Sequence, residues 1–199
     1  MILFGASGHC KVIIDILLLN NYKIDKILDD KPLVQELYNI PVFLNDGKIE
    51  MQKAIISIGN NVSRKKIATL YNLEYISAFH PKATISKFSN IGFGTVAMAN
   101  CSINPDVTIG NHCIINTNAI IEHDCEISDF VHICPNAAVA GNVKIGEGSQ
   151  IGIGACLKQG ISIGKWCVIG AGAVILEDVL DNSVVVGNPG RILNLNNGH

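Results

Sequence analysis

A repeat of six residues runs through the second half of the chain and leaves few folds open. From Ala83 the sequence divides without a gap into sixteen hexads that end at Asp178. The third place is Ile, Val or Leu in fifteen of them, Ala97 being the exception, and the first place is always small or β-branched. Gly often follows the aliphatic, as at Gly92, Gly110, Gly146, Gly152, Gly164 and Gly170. A helix repeats its apolar face every ~3.6 residues and a strand every ~2, so a strict period of six fits neither as one long element. It fits a parallel β-helix, in which each hexad supplies one short flat side and a corner. The aliphatic points inward, the small first-place residue fills the space beside it, and Gly or Asn accepts the corner. Three sides close a coil of eighteen residues, so residues 83–178 make about five coils.

The same register explains most of the cysteines. Cys101, Cys113, Cys125 and Cys167 all stand in the first place, where other hexads have Ala or Ser, and read as small core hydrophobes. The seven cysteines form no CxxC pair and no His/Cys cluster at zinc spacing, so reduced thiols in a cytoplasmic protein without a bound metal are expected. Hydrophobic residues make up 48% and charged residues 16% of the 199, with a formal net charge of -2. Such a chain buries a sizeable core and carries no footprint for nucleic acid or a membrane surface. The apolar stretch Val12–Leu19 is interrupted by Asp15 and is too short to span a bilayer. No basic segment precedes it and no small-residue cleavage site follows, so no secretory signal is expected.

The first eighty residues alternate strand and helix. A short apolar run, Met1–Gly5, leads through Ala6-Ser7-Gly8-His9 into a helix from about Cys10 to Leu19. A second strand, Lys26–Leu28, ends in Asp29-Asp30, and a third, Ala54–Ile58, ends in Gly59-Asn60-Asn61. A helix containing Arg64, Lys65 and Lys66 follows, then a strand near Glu74–Ala78. Alternation of this kind implies a parallel sheet with helices on its faces, and ligands bind such sheets at the carboxyl ends of the strands. Ser7-Gly8-His9, Asp29-Asp30 and Gly59-Asn60 all fall there. A Gly turn opening a helix offers N–H groups to phosphate, and an acidic residue ending the second strand commonly bonds a ribose hydroxyl. The three loops together point to a nucleotide that is part of the substrate. The chain is thus expected to divide into an α/β Rossmann-like domain at residues 1–80 and a solenoid with a tail at residues 81–199.

One corner of the solenoid carries chemistry. In Ile120-Ile121-Glu122-His123-Asp124, His123 occupies the fifth place of its hexad, where the side chain faces outward. A carboxylate bonded to one imidazole nitrogen fixes the tautomer and raises the basicity of the other, which is what a base acting on an amine or hydroxyl requires. One coil further on, the position above His123 is Gly141, whose bare N–H is placed to stabilise an oxyanion. His132 is half a coil from His123 and is expected to meet it only across a subunit boundary. His112 has no acidic neighbour and reads as an ordinary surface corner, and His80-Pro81 marks the start of the first coil.

These residues carry a resemblance. Gly5-Ala6-Ser7-Gly8-His9, Leu28-Asp29-Asp30, Ile58-Gly59-Asn60-Asn61 with Arg64, Ile121 to Cys125, Ala140 to Gly146 and Gly187-Asn188-Pro189 resemble the left-handed β-helix acyltransferases that N-acetylate nucleotide-linked amino sugars, of the bacillosamine and perosamine types. The chain is also similar to the sialic acid O-acetyltransferases. The resemblance implies a left-handed parallel β-helix, a homotrimer with active sites between subunits, and acetyl-CoA lying along the groove between neighbouring solenoids. It implies His123 as general base with Asp124 raising its basicity. His132 and the Gly141 N–H would hold the thioester end of the cofactor, and Ile153 and Ala171 would line it, although a Gly is more usual at the latter. Ser7, Gly8, His9, Asp29, Asp30 and Gly59 match the nucleotide-sugar site, and Arg191 falls near the CoA phosphates. Such a product would serve glycan or surface-polysaccharide assembly.

An amine and a hydroxyl need the same base, so O-acetylation of sialic acid or a capsule sugar stays open at this level. A non-catalytic scaffold keeping the solenoid has no need of the His123-Asp124 pair. A metal-binding β-helix needs three convergent histidines, and the 11 and 9 residues that separate His112, His123 and His132 are not multiples of 18.

Overall fold

The computed structural model describes residues 1–195. Its first part is a six-stranded sheet with two helices. Strands β1 (Ile2–Phe4), β2 (Lys26–Asp29), β3 (Glu36–Leu37), β4 (Ile40–Leu44), β5 (Lys53–Ile56) and β6 (Glu74–Tyr75) are ordered β3-β4-β2-β1-β5-β6. All neighbours are parallel except β3 and β4, which form an antiparallel edge hairpin. This hairpin, with β4 added beside β2, is absent from the sequence expectation. The third expected strand, Ala54–Ile58, is displaced to Lys53–Ile56, so that Ser57 and Ile58 lie in the connection to the next helix.

Helix α1 (Gly8–Leu19) buries Cys10, Ile13, Ile14, Ile16 and Leu17, the spacing of one apolar helical face. That face packs on Ala78, Val96, Met98 and Ile114 of the solenoid. Helix α2 (Asn61–Leu70) starts at Asn60, whose side chain accepts from the Ser63 N–H at 2.9 Å, a standard N-cap bond. Its buried residues are Asn61, Arg64 and Ile67. No described helix is long and apolar enough to cross a membrane.

The stretch expected as one strand near Glu74–Ala78 splits. Glu74–Tyr75 closes the first sheet, and Ala78–Phe79 is the first rung of the solenoid. From there three parallel sheets wind upward, and rungs pair with the one 18 residues later, as Val96 with Ile114, Ser102 with Ile120 and Thr108 with Glu126, until the last turn, where Val168 meets Val184 and Ile163 meets Val179 after only 16 residues. The first face starts at Ala78–Phe79, the second at Thr84–Ile85 and the third at Asn90–Ile91. The inward residues form one continuous core that contains Ile103, Ile109, Ile115, Ile121, Ile127, Ile133, Val139 and Ile145. Fully burying each aliphatic contributes roughly 1.5–3 kcal/mol. Cys101, Cys113, Cys125 and Cys167 lie inside this core as expected, and all seven cysteines are free. The top rung Ser183–Val186 pairs antiparallel with Arg191–Leu195 through the turn at Gly187–Gly190.

The corners divide their work between two places of the hexad. The left-handed residue is the sixth, as at Asn100, Asp106, Asn118, Asp124, Asn136 and Asn142, with φ between 56° and 62°. Asn and Asp tolerate that region best after Gly. The glycine after the aliphatic serves close approach instead: a Cβ on Gly146 would lie 2.6 Å from the Gly164 carbonyl carbon.

Candidate active site

His123 and Asp124 sit at the corner between the second and third faces. The left-handed backbone of Asp124, φ 61°, brings its carboxylate back to the preceding ring, and His123 Nδ1 lies 2.7 Å from Asp124 Oδ2. Both side chains are exposed, 57% and 59%. The Asp124 hydrogen bond is the main reason that the His123 pKa is raised above its ordinary value. Nδ1–H donating to the carboxylate leaves the Nε2 lone pair free. Above it lies Gly141, where a Cβ would be 2.7 Å from His123 Cε1 and 2.8 Å from Nε2. The coils stay in register here through the Asn142 N–H, which donates to the His123 carbonyl at 2.9 Å. Among the described residues no backbone acceptor takes the Gly141 N–H.

His132 stands on the first face, away from that corner, beside the N-terminal sheet. Its ring centroid is 6.4 Å from that of His9, the second residue of α1. Asn116 Nδ2 donates to His132 Nε2 at 3.0 Å, which requires a neutral ring with its single N–H on Nδ1. Burial, then the Arg64 charge, lowers the His132 pKa to about 3. The same two causes lower His9 to about 4, and His9 Nε2 is buried without a partner. Gly59 faces the His9 ring, with 4.0 Å between the Cγ and a Cβ placed on the glycine. Two neutral imidazoles thus converge where the first sheet meets the solenoid. The sequence reading missed Asn116, because the 18-residue rule sends it to Cys134 whereas its side chain reaches diagonally to His132.

Beside this junction a cleft of about 310 Å³ opens at the carboxyl ends of β1, β2 and β5, lined by Ser7, Asp29, Asp30, Ser63 and Lys66. Ser7 and Gly8 form the start of α1, so its first N–H groups lie at the same edge. Asp29 organises the edge: its two oxygens accept from the Ala6 N–H at 2.7 Å and the Lys31 N–H at 2.8 Å. Asp30 accepts from Asn45 Nδ2 at 2.8 Å. Ser63 and Lys66, both on α2, were not read from the sequence, since nothing in their spacing shows that α2 leans over β1.

Ile153 and Ala171 stack one coil apart at the corner between the first and second faces, both exposed, with the Gly172 N–H donating to the Ile153 carbonyl at 2.8 Å. The structure therefore gathers the expected site residues into separate groups. His123, Asp124 and Gly141 share one corner, His9, Gly59 and His132 share the junction, and Ser7, Gly8, Asp29 and Asp30 share the cleft. The second face separates His123 from His132 within one chain.

His112 departs from the sequence reading. It is no surface corner but is 3% exposed, stacked on Phe130 at 5.3 Å and edge-on to Tyr75 and Phe93 at 4.7 and 5.3 Å. Burial is the main cause of a pKa lowered to about 4. The docking of α2 and β6 against this corner covers it, which a repeat pattern read along the solenoid alone does not reveal.

Comparison with known proteins matches residues 1–70 to the PglD N-terminal domain and residues 88–123 and 142–177 to the bacterial transferase hexapeptide family (six repeats). The UDP-N-acetylbacillosamine N-acetyltransferase of Bacillus subtilis (strain 168) is 37% identical over 109 residues, 48% of this chain and 49% of that protein. An uncharacterized protein, L142, of Acanthamoeba polyphaga mimivirus is 34% identical over 117 residues, 57% of this chain and 24% of that one. The matched segments thus span about half or less of these curated relatives. Solved structures match over nearly the whole length. A mutant of perosamine N-acetyltransferase from Caulobacter crescentus, in complex with CoA and GDP-perosamine, has a TM-score of 0.92 at 31% identity, covering 97% of this chain and 96% of that one. The acetyltransferase domain of PglB from Neisseria gonorrhoeae FA1090, in complex with acetyl coenzyme A, has a TM-score of 0.87 at 34% identity, covering 96% and 98%. With the repeat, the cleft and the His123 corner in place, this full-length similarity means that the chain belongs to the family of hexapeptide-repeat nucleotide-sugar N-acetyltransferases that carry a PglD-type N-terminal domain.

Proposed function

We propose that this protein transfers the acetyl group of acetyl-CoA to the amine of a nucleotide-linked amino sugar, directly and without a covalent enzyme intermediate. The observation that carries the reading is the His123–Asp124 bond of 2.7 Å beneath the bare backbone of Gly141. The sugar amine attacks the thioester carbonyl and His123 Nε2 takes the amine proton. The carbonyl oxygen becomes an oxyanion within reach of the Gly141 N–H. Collapse breaks the C–S bond, His123 returns the proton to the CoA sulfur, and the amide product leaves. A positioned base supplies about 10²–10⁴-fold and one oxyanion donor about 10²–10³-fold.

In this reading the cleft bearing Ser7, Gly8, Asp29 and Asp30 takes the nucleotide. His9 and Gly59 face its sugar. His132 and the Gly141 N–H hold the thioester, and Ile153 and Ala171 line the pantetheine path. Because the second face separates His123 from His132, one chain does not complete the site, and we place it between the protomers of a homotrimer. The outward residues of that face, Ser102, Ile120, Ala138, Cys156 and Val174, are small or apolar and suit close packing of a second copy. Seven free thiols suit the cytoplasm.

A thiol-release assay with acetyl-CoA tests the reading against UDP-, dTDP- and GDP-linked amino sugars, with free sialic acid as the contrast. Turnover of an amino sugar nucleotide is the expected result. Turnover of sialic acid alone overturns N-acetylation, and no turnover of any acceptor overturns the reading as a whole.

A further inference from the structure

We propose that Arg64 is a positioning residue, which locks the loop bearing Gly59, and with it the sugar-nucleotide cleft, into one register against the solenoid. Arg64 is 1% exposed. Its Nε donates to the His112 carbonyl at 2.7 Å, and its Nη1 to the Ile58 and Gly59 carbonyls at 3.1 Å each. Its Nη2 donates to Asn61 Oδ1 and to the Phe130 carbonyl at 2.8 Å each. A guanidinium has five N–H groups, and these five acceptors use one apiece. Two of them belong to the loop after β5 and two to the corners of successive coils. None is a carboxylate.

Burying a cation without a counter-charge is costly, so the arrangement is a poor source of stability. What a planar fork does supply is a rigid connection of fixed geometry, which a lysine cannot copy. Asn61 extends the grip by one coil, donating through Nδ2 to the Gly148 carbonyl at 2.9 Å. Lys65 adds an ion pair with Glu147 and lies 5.2 Å from the Trp166 ring. His112 and Phe130 hold φ of 53° and 60°, a conformation that strains bulky residues, and their carbonyls are the ones that Arg64 takes. On the other side, the gripped loop carries Gly59 against the His9 ring, and Ile58 and Ser63 flank the cleft. The clamp therefore joins the nucleotide-binding edge to the face that bears His132, where a shift of about 1 Å costs on the order of 100-fold in rate.

Only the kinetic arm of the test rests on the acetyl-transfer reading. Arg64→Lys keeps the charge and loses the fork. With the best acceptor from the panel above, kcat/KM for the nucleotide sugar should fall about 10–100-fold while the acetyl-CoA KM holds. Arg64→Ala should recover kcat/KM in millimolar guanidinium chloride and not in equal urea. Independently of any acceptor, amide hydrogen exchange of residues 57–64 should accelerate in Arg64→Lys while the coils stay protected, and the emission of Trp166, the single tryptophan, should shift. The proposal is overturned by unchanged exchange at 57–64, or by a loss of kcat that merely follows the folded fraction with both KM values unchanged. Should neither Arg64 variant fold, Asn61→Ala should show the same pattern at smaller amplitude, and its absence overturns the proposal. If the wild-type protein turns over no acceptor, the acetyl-transfer reading fails while the exchange result still decides on Arg64.

Discussion

Gly141→Ala separates the geometry of the His123 corner from the stability of the solenoid. The added methyl group would lie 2.7 Å from His123 Cε1 and 2.8 Å from Nε2, where ordinary contact begins near 3.4 Å. The ring must therefore retreat by about 0.6–0.7 Å, the difference between those distances. Misplacing a reacting group by about 1 Å costs on the order of 100-fold, so kcat should fall about 10–100-fold. The backbone is not strained, because Gly141 has no left-handed φ, and the half-exposed His123 ring swings out freely. Surface changes of this kind stay within about 0.5 kcal/mol, a Tm change of about 2 °C or less for a chain of this length. Gly146→Ala is the control. Its methyl group would meet the Gly164 carbonyl carbon at 2.6 Å and the Lys165 nitrogen at 2.7 Å, backbone atoms that cannot step aside. Overpacking there should cost about 1–3 kcal/mol and several degrees of Tm while the surviving enzyme keeps its kcat. Steady-state thiol release and thermal melts read both. Wild-type kcat in Gly141→Ala, or a loss that only tracks a Tm drop shared with Gly146→Ala, would refute the assignment of the corner.

Removing the base, His123→Ala, should lower kcat by at least about 100-fold with an unchanged melt; near-normal turnover rejects His123 as the base. The raised His123 pKa means that activity in the wild-type protein climbs with pH through a value above 6.5, since only the neutral ring accepts the amine proton. Asp124→Asn removes the main cause, so the acid limb should move to lower pH and the plateau should drop; a pH–rate profile that stays put counts against the pair. Asp29→Ala leaves the Ala6 and Lys31 N–H groups without their acceptor and should raise KM for the nucleotide sugar, whereas a change confined to the acetyl-CoA KM assigns that edge another task. His112 has a folded pKa of about 4 against 6.5 unfolded. Between these values the unfolded chain binds a proton that the folded chain refuses, so stability falls as pH falls through that window, by up to about 3 kcal/mol. His112→Phe, which copies Phe130 one coil on, should shrink the loss measured by urea unfolding at pH 7 and pH 4; an equal loss in both proteins contradicts the burial account.

The solenoid was legible because its repeat is local and periodic. Each hexad sees the same environment one coil above and below, so a period of six and a coil of eighteen suffice to place Gly141 over His123 and Ile153 under Ala171. The acidic ends of β2 and the Gly turn before α1 were legible for the same reason: turn chemistry is written in adjacent residues. The hairpin of β3 and β4 was not, as β3 has only two residues and β4 carries Pro41 and leaves three of its five residues exposed. Asn116 escaped because its contact with His132 is diagonal to the repeat.

The sequence by itself determined the architecture of the coils, the outward direction of the His123 ring and its pairing with Asp124. Those are consequences of neighbours along the chain and of a fixed eighteen-residue rise. Only the tertiary structure decided which corner the N-terminal sheet covers. That contact buries His112, holds His9 and His132 neutral, and seats Arg64 on four carbonyls from two distant segments. Backbone carbonyls carry no side-chain signature, and a docking surface between two segments distant in sequence leaves no period in it, so the arrangement that joins the sugar-nucleotide cleft to the solenoid exists only in three dimensions.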